Sequence, residues 1–161
     1  MRRRYVRNTA RERRAEQRAR ELLHSTAGTD ALQMYERFGL LNVENGEYGY
    51  LIYPQRPLVA YDADTGELLS EYCVRFRDGS EPEAGERLPD ADDVLAKWMA
   101  LRADEHELIG TANIHPLGRQ LDPAMVRRDL AALRQWQMRG CSDDARARDS
   151  ATREVSEEQP V

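Results

Sequence analysis

The chain has 161 residues, room for one domain with tails, and 40% are hydrophobic, enough for a core. Charged residues reach 33%, and the net charge of −5 hides a division: residues 1–20 carry nine arginines against Glu12 and Glu16, leaving the remainder strongly acidic. No window approaches the ~20 apolar residues of a membrane span, the arginine-rich start lacks the apolar run of a secretory signal, and two cysteines without a neighbouring histidine make no metal site, so a cytoplasmic protein without membrane contact, metal or cofactor is expected.

Met1 to Leu23 contains no glycine or proline, and Arg11 to Leu23 is built almost wholly of strong helix formers. Its apolar stripe is thin: Ala15, Ala19, Leu22 and Leu23. Residues 1–24 therefore read as a basic arm, partly ordered alone and firmer when bound. Gly28 breaks the chain and Thr29 can cap the next helix. Leu32, Tyr35 and Phe38 then recur at helical spacing, with Gly39 as terminator. Leu40, Leu41 and Val43 lead into Asn45-Gly46, a tight-turn signal between apolar runs.

Tyr48 to Phe76 holds five of the seven tyrosines, placed between turn signals. It predicts three antiparallel strands at about 48–53, 58–61 and 67–76. Pro54 and Pro57 bracket the first loop, and Asp62 to Gly66 makes the second turn. Along the third strand, Ser70, Tyr72, Val74 and Phe76 share one face, and Glu71, Cys73 and Arg75 share the other. One apolar and one mixed face predict a sheet covered by helices on one side.

Residues 77–90 form a Gly-, Pro- and acid-rich loop. Asp90 can cap a helix whose apolar face is Val94, Leu95, Trp98, Met99 and Leu101. Asp104 to Ile109 extends it or forms a separate helical turn, and residues 110–121 read as irregular. Asp122-Pro123 is the clearest helix start in the chain. That helix is expected to close at Gly140, followed by a disordered tail over residues 141–161. The fold class is thus α+β: a small three-stranded antiparallel meander packed by helices. It occupies residues 29–140, between the basic arm and the tail.

Asp122-Pro123-Ala124-Met125-Val126-Arg127-Arg128-Asp129-Leu130-Ala131-Ala132-Leu133 resembles the recognition helix of DeoR-type helix-turn-helix repressors. The resemblance covers about twelve residues and implies that Met125, Arg127 and Arg128 face a DNA major groove while Val126, Leu130 and Leu133 hold the helix in place. The Asp62-Ala63-Asp64-Thr65-Gly66-Glu67 segment resembles part of a calcium loop, but the chain enters a strand before the later ligands, so it reads as a hairpin turn. His24, His106 and His115 are scattered, and neither a strained nucleophile turn nor a phosphate-cradling glycine loop is present, so no catalytic residues are assigned.

Two functional readings remain. In the first, a non-catalytic accessory or regulatory protein binds DNA or RNA through Arg2, Arg3, Arg4, Arg7, Arg11, Arg13, Arg14, Arg18 and Arg20, with Arg127, Arg128 and Arg134 of the last helix adding contacts. The preference for arginine over a single lysine, Lys97, also suits a GC-rich bacterium or its mobile elements. In the second, an adaptor binds a protein partner through Tyr50, Tyr53 and Tyr61, held partly exposed on the sheet. The arm could instead dock on the molecule's own acidic segments, Asp90–Asp93 and Asp104–Glu107.

Overall fold

A computed structural model describes residues 9–74 and 88–157. The elements run α1 (Thr9–Ala27), α2 (Thr29–Phe38), β1 (Leu41–Asn45), β2 (Tyr48–Ile52), β3 (Leu58–Asp62), β4 (Leu68–Cys73), α3 (Asp90–Ala103), α4 (Glu105–Thr111), β5 (Asn113–His115) and α5 (Pro123–Glu157). They fall into two compact units, Met1–Pro123 and Ala124–Val161. No helix among the described residues is long and apolar enough to cross a membrane.

The α+β class holds, but the sheet has five strands, not three, in the order β1-β2-β3-β4-β5 with antiparallel neighbours. The first addition is β1. Leu41 and Val43 alternate inward, and the chain reverses at Gly46-Glu47, where Gly46 adopts φ 68°. The second is β5, three residues paired with the outer edge of β4. Three residues are too few to show a period, so only the free edge of β4 specifies this strand.

One face of the sheet presents Leu41, Val43, Tyr50, Ile52, Leu58 and Ala60 to a core completed by Ala19 and Leu23 of α1, Tyr35 of α2, and Ala91, Val94, Leu95 and Leu101 of α3. The opposite face, expected to be mixed and open, is buried as well: Leu51, Val59, Tyr61 and Glu71 are all at most 1% exposed. Continuous apolar runs such as Leu58-Val59-Ala60-Tyr61 are what burial on both faces demands. Tyr61 lies flat over the backbone of Gly49, its cross-strand partner, and its hydroxyl donates to Glu44 and accepts from Asn42. A Cβ at Gly49 would occupy the ring itself. Gly49→Ala is therefore expected to destabilise the protein by about 2–3 kcal/mol through ring displacement, read as a lower urea midpoint at unchanged m-value.

The last helix also departs from expectation. It passes through Gly140 and continues to Glu157, so a helix stands over 141–157 where composition suggested a disordered tail. A single interior glycine costs only about 1 kcal/mol, and the following Asp-, Arg-, Ala- and Glu-rich sequence favours helix once started. Within α5, Val126, Leu130 and Leu133 are buried, and Arg127 and Arg128 are exposed.

Candidate nucleic-acid interface

The arginine-rich segment is helical from Thr9 and joins the core at Ala19 and Leu23. At 100° per residue Ala19 and Leu23 lie on one side of α1, and they are 3% and 0% exposed. The thin apolar stripe suffices because small Ala19 lets α1 approach the sheet-covering layer closely, while Glu16 supplies polar attachment. The Glu16 Oε1 accepts from the Tyr35 hydroxyl (2.8 Å) and from Arg20 Nε (3.2 Å), and its Oε2 accepts from the Ala91 backbone N–H (3.2 Å). One carboxylate thus joins α1, α2 and the N-terminus of α3. Asp90, expected to cap α3, is instead its first residue, and the N-cap position falls to Pro89, which has no side-chain cap to offer. The charge that complements those first N–H groups arrives from α1. Thr29 likewise does not cap α2; its hydroxyl pairs with the His24 ring at 3.1 Å.

Packing α1 in this way sorts its arginines. Arg20 is committed inward: it pairs with Glu16 (3.2 Å) and Glu36 (3.9 Å) and its guanidinium stacks over Tyr35 at 5.4 Å. Arg11, Arg13, Arg14 and Arg18 are exposed and make no ion pair with a carboxylate among the described residues. Arg11, Arg14 and Arg18 step by three and four positions, so they share an arc of roughly 60° turned away from Ala19 and Leu23. Arg14 Nε reaches only the Ala10 carbonyl, at 3.4 Å. Glu21, farther along the same side, accepts from Gln17 Nε2 at 3.3 Å. Arg2, Arg3, Arg4 and Arg7 lie outside the described residues. Docking of α1 on the acidic segments does occur at α3, but through Glu16 and apolar contacts; Asp104 caps α4 by accepting from the Glu107 N–H at 2.9 Å, and Glu105 binds Tyr50 and Asn45.

Arg127 and Arg128 of α5 are exposed, whereas Arg134 is half-buried and engaged within the protein. Met125 is half-buried. Before α5 the chain forms β5 and a loop, and the preceding helix ends at Thr111, in place of the roughly three- to four-residue turn of a helix-turn-helix.

The aromatic surface expected for a protein partner is interior. Tyr50, Tyr53 and Tyr61 are 4%, 8% and 0% exposed. Burial of a tyrosine is tolerable when its hydroxyl finds an acceptor, and Glu105 and Glu44 provide this for Tyr50 and Tyr61. Burial, reinforced by the hydrogen bond to Glu105, holds the Tyr50 hydroxyl well above the ordinary tyrosine range. Tyr35 is raised in the same way by burial and then by Glu16.

Two polar centres escaped sequence reasoning. Lys97 is buried, and its Nζ donates to Asp93 Oδ2 (2.6 Å), the Arg56 carbonyl (3.0 Å) and the Tyr53 carbonyl (3.3 Å). Asp93 Oδ2 also accepts from the N–H of Gln55, a non-glycine residue held at φ 57°. Glu71 accepts from the backbone N–H groups of Gly118, Gln120 and Leu121. A shallow cleft of about 250 Å³ beside Lys97 is lined by Gln55, Arg56, Cys73 and Gln120, among others. The three ammonium protons of Lys97 are already used, and the Cys73 sulfur accepts from Gln120 Nε2 at 3.2 Å, so the cleft is held by internal bonds. Asp62 organises its own turn, accepting from the Asp64 and Thr65 N–H groups. His115 accepts from Arg119 at 3.0 Å, which places its own proton on Nε2, and His106 is exposed on α4.

Burial, with added repulsion from Glu16, raises the Asp92 carboxyl above its usual value of 3.8. A raised folded-state value means the folded protein binds this proton more readily than the unfolded chain. The group is therefore neutral to stability below about pH 3.8 and becomes a penalty as pH rises through its folded value. Asp92→Asn is expected to raise the melting temperature at pH 7, with the gap to wild type closing toward pH 4.

No family model, curated protein or solved structure matches the chain.

Proposed function

We propose that this protein binds nucleic acid as a non-catalytic accessory protein, with the outward row Arg11, Arg14 and Arg18 of α1 as its principal contact. The observation that carries this reading is the sorting of one helix. Its inward groups are matched by the fold, Arg20 included, while four outward guanidinium groups meet no carboxylate among the described residues. Such an arrangement costs stability unless an external anion offsets it, and phosphate suits the guanidinium fork. Arg13 flanks the row. Arg2, Arg3, Arg4 and Arg7 precede it in the chain, and Arg127 and Arg128 offer a further exposed pair on α5. This role places the protein in the cytoplasm, in contact with DNA or RNA.

The test is a salt titration of binding. Each phosphate neutralised on a duplex contributes about 0.9 to the slope of log affinity against log salt. Arg11→Ala/Arg14→Ala/Arg18→Ala is expected to lower that slope by about 2–3 and to weaken binding at low salt at least about tenfold, with the melting temperature little changed because these side chains are exposed. Failure of the wild-type protein to bind any nucleic acid at low salt would refute the reading.

A further inference from the structure

We infer, building on that reading, that the partner of the α1 row is a double helix gripped through its phosphates alone, without base readout. The first ground is rigidity. Ala19 and Leu23 are buried, and Glu16 fixes the same helix to Tyr35 and Ala91, so the spacing of the outward row is set before any ligand arrives. Arg11, Arg14 and Arg18 span about 10 Å along the helix axis at 1.5 Å per residue. A duplex displays one charge per about 1.7 Å of its axis in a fixed array, so a rigid row meets several phosphates without ordering its partner. A single strand would have to be ordered onto the same row at an entropic cost.

The second ground is what the rings are doing. Sequence-tolerant grip on single strands relies on exposed aromatic faces, each worth about 1–3 kcal/mol by stacking. Here Tyr35, Tyr50, Tyr53 and Tyr61 are core residues. The ring faces of Phe38 and Trp98 are met by the guanidinium groups of Arg37 (5.8 Å) and Arg102 (4.9 Å). Tyr48 is exposed, but its cross-strand partner Asn45 binds the Glu105 carboxylate, so a negative charge stands on its side of the hairpin and repels phosphate. Gln17, an amide that could read a base edge, is bonded to Glu21. The described surface of the row therefore offers charge and almost no selectivity.

The experiment is fluorescence anisotropy of the full chain at low salt with a short blunt DNA duplex, each of its two strands, and a second duplex of unrelated sequence. Polyglutamate of matched charge serves as competitor. The expected result is at least about tenfold tighter binding to duplex than to either strand, about equal affinity for the two duplexes, and weak competition by polyglutamate. Arg11→Ala/Arg14→Ala/Arg18→Ala should close the gap between duplex and strand. Tyr5→Ala, which removes the aromatic nearest in sequence to the N-terminal arginines, should leave it open. Strands that bind as well as duplex, or a gap that depends on Tyr5, would overturn the duplex inference while leaving nucleic-acid binding in place. Strong preference between the two duplexes would overturn phosphate-only recognition. Polyglutamate that displaces duplex as well as unlabelled duplex does, or no binding at all, would overturn the nucleic-acid reading itself.

Discussion

Lys97→Met is expected to cost about 3–5 kcal/mol, the range for removing one partner of a buried ion pair. At this chain length that is a fall of about 10 °C in melting temperature. Methionine fills nearly the same volume, so the loss is one of polar matching. Without the ammonium, Asp93 keeps a buried charge, and the Tyr53 and Arg56 carbonyls lose a donor. The two carbonyls also distinguish this centre from an ordinary ion pair. Replacing both members of a buried pair with apolar residues can be neutral, but Lys97→Met/Asp93→Ala would still strand two main-chain oxygens and the Gln55 N–H. The double variant is therefore expected to remain at least about 2 kcal/mol below wild type. The β2–β3 loop, held with Gln55 at φ 57°, should then loosen first, visible as faster amide exchange at residues 55–57. A Lys97→Met protein melting within about 2 °C of wild type would show that the site tolerates desolvated carbonyls.

Glu71→Ala is expected to cost a similar amount, about 3 kcal/mol or more. Its carboxylate accepts the N–H groups of Gly118 (3.1 Å), Gln120 (3.1 Å) and Leu121 (3.2 Å), which ends the β5–α5 connection in a fixed conformation. Glu71 itself is 1% exposed, so the alanine variant creates a cavity as well as orphaned donors. Glu71→Gln separates the two effects. With its oxygen at the Oε1 position it keeps Gly118 and Leu121, but turns an amide N–H₂ toward the Gln120 N–H. Its expected cost is about half that of alanine. Equal stability of all three proteins in urea would remove Glu71 from the account of this loop.

Much of the architecture is set by local pattern. The breaks at Gly28 and Gly39, the helix start at Pro123, and the strands within Tyr48–Cys73 stand in the structure close to where turn chemistry and alternation place them. Lys97 illustrates what pattern could have added. It is the chain's single lysine, and it sits among Val94, Leu95, Trp98 and Leu101 on the buried side of α3, a position where a charge must find partners. Asp93 stands at the i,i+4 spacing that helix periodicity announces, but the other two partners are carbonyls some forty residues earlier, which no periodicity announces. Glu71 posed the same difficulty: alternation set it on the face opposite Tyr72, but only the returning chain at residues 118–121 supplies the donors that make its burial possible.

Composition, the α+β class and the excess of arginine at the start were settled by the sequence alone, because helix propensity, turn residues and formal charge are local properties. Which arginines are engaged internally and which face outward was decided only in three dimensions. Glu16 is an unremarkable helix residue until α2 and α3 bring Tyr35 and Ala91 to it, and that junction orients α1. The tyrosines changed meaning for the same reason: an aromatic strand residue is equally suited to a surface or a core, and the distant carboxylates Glu44 and Glu105 made burial in the core possible.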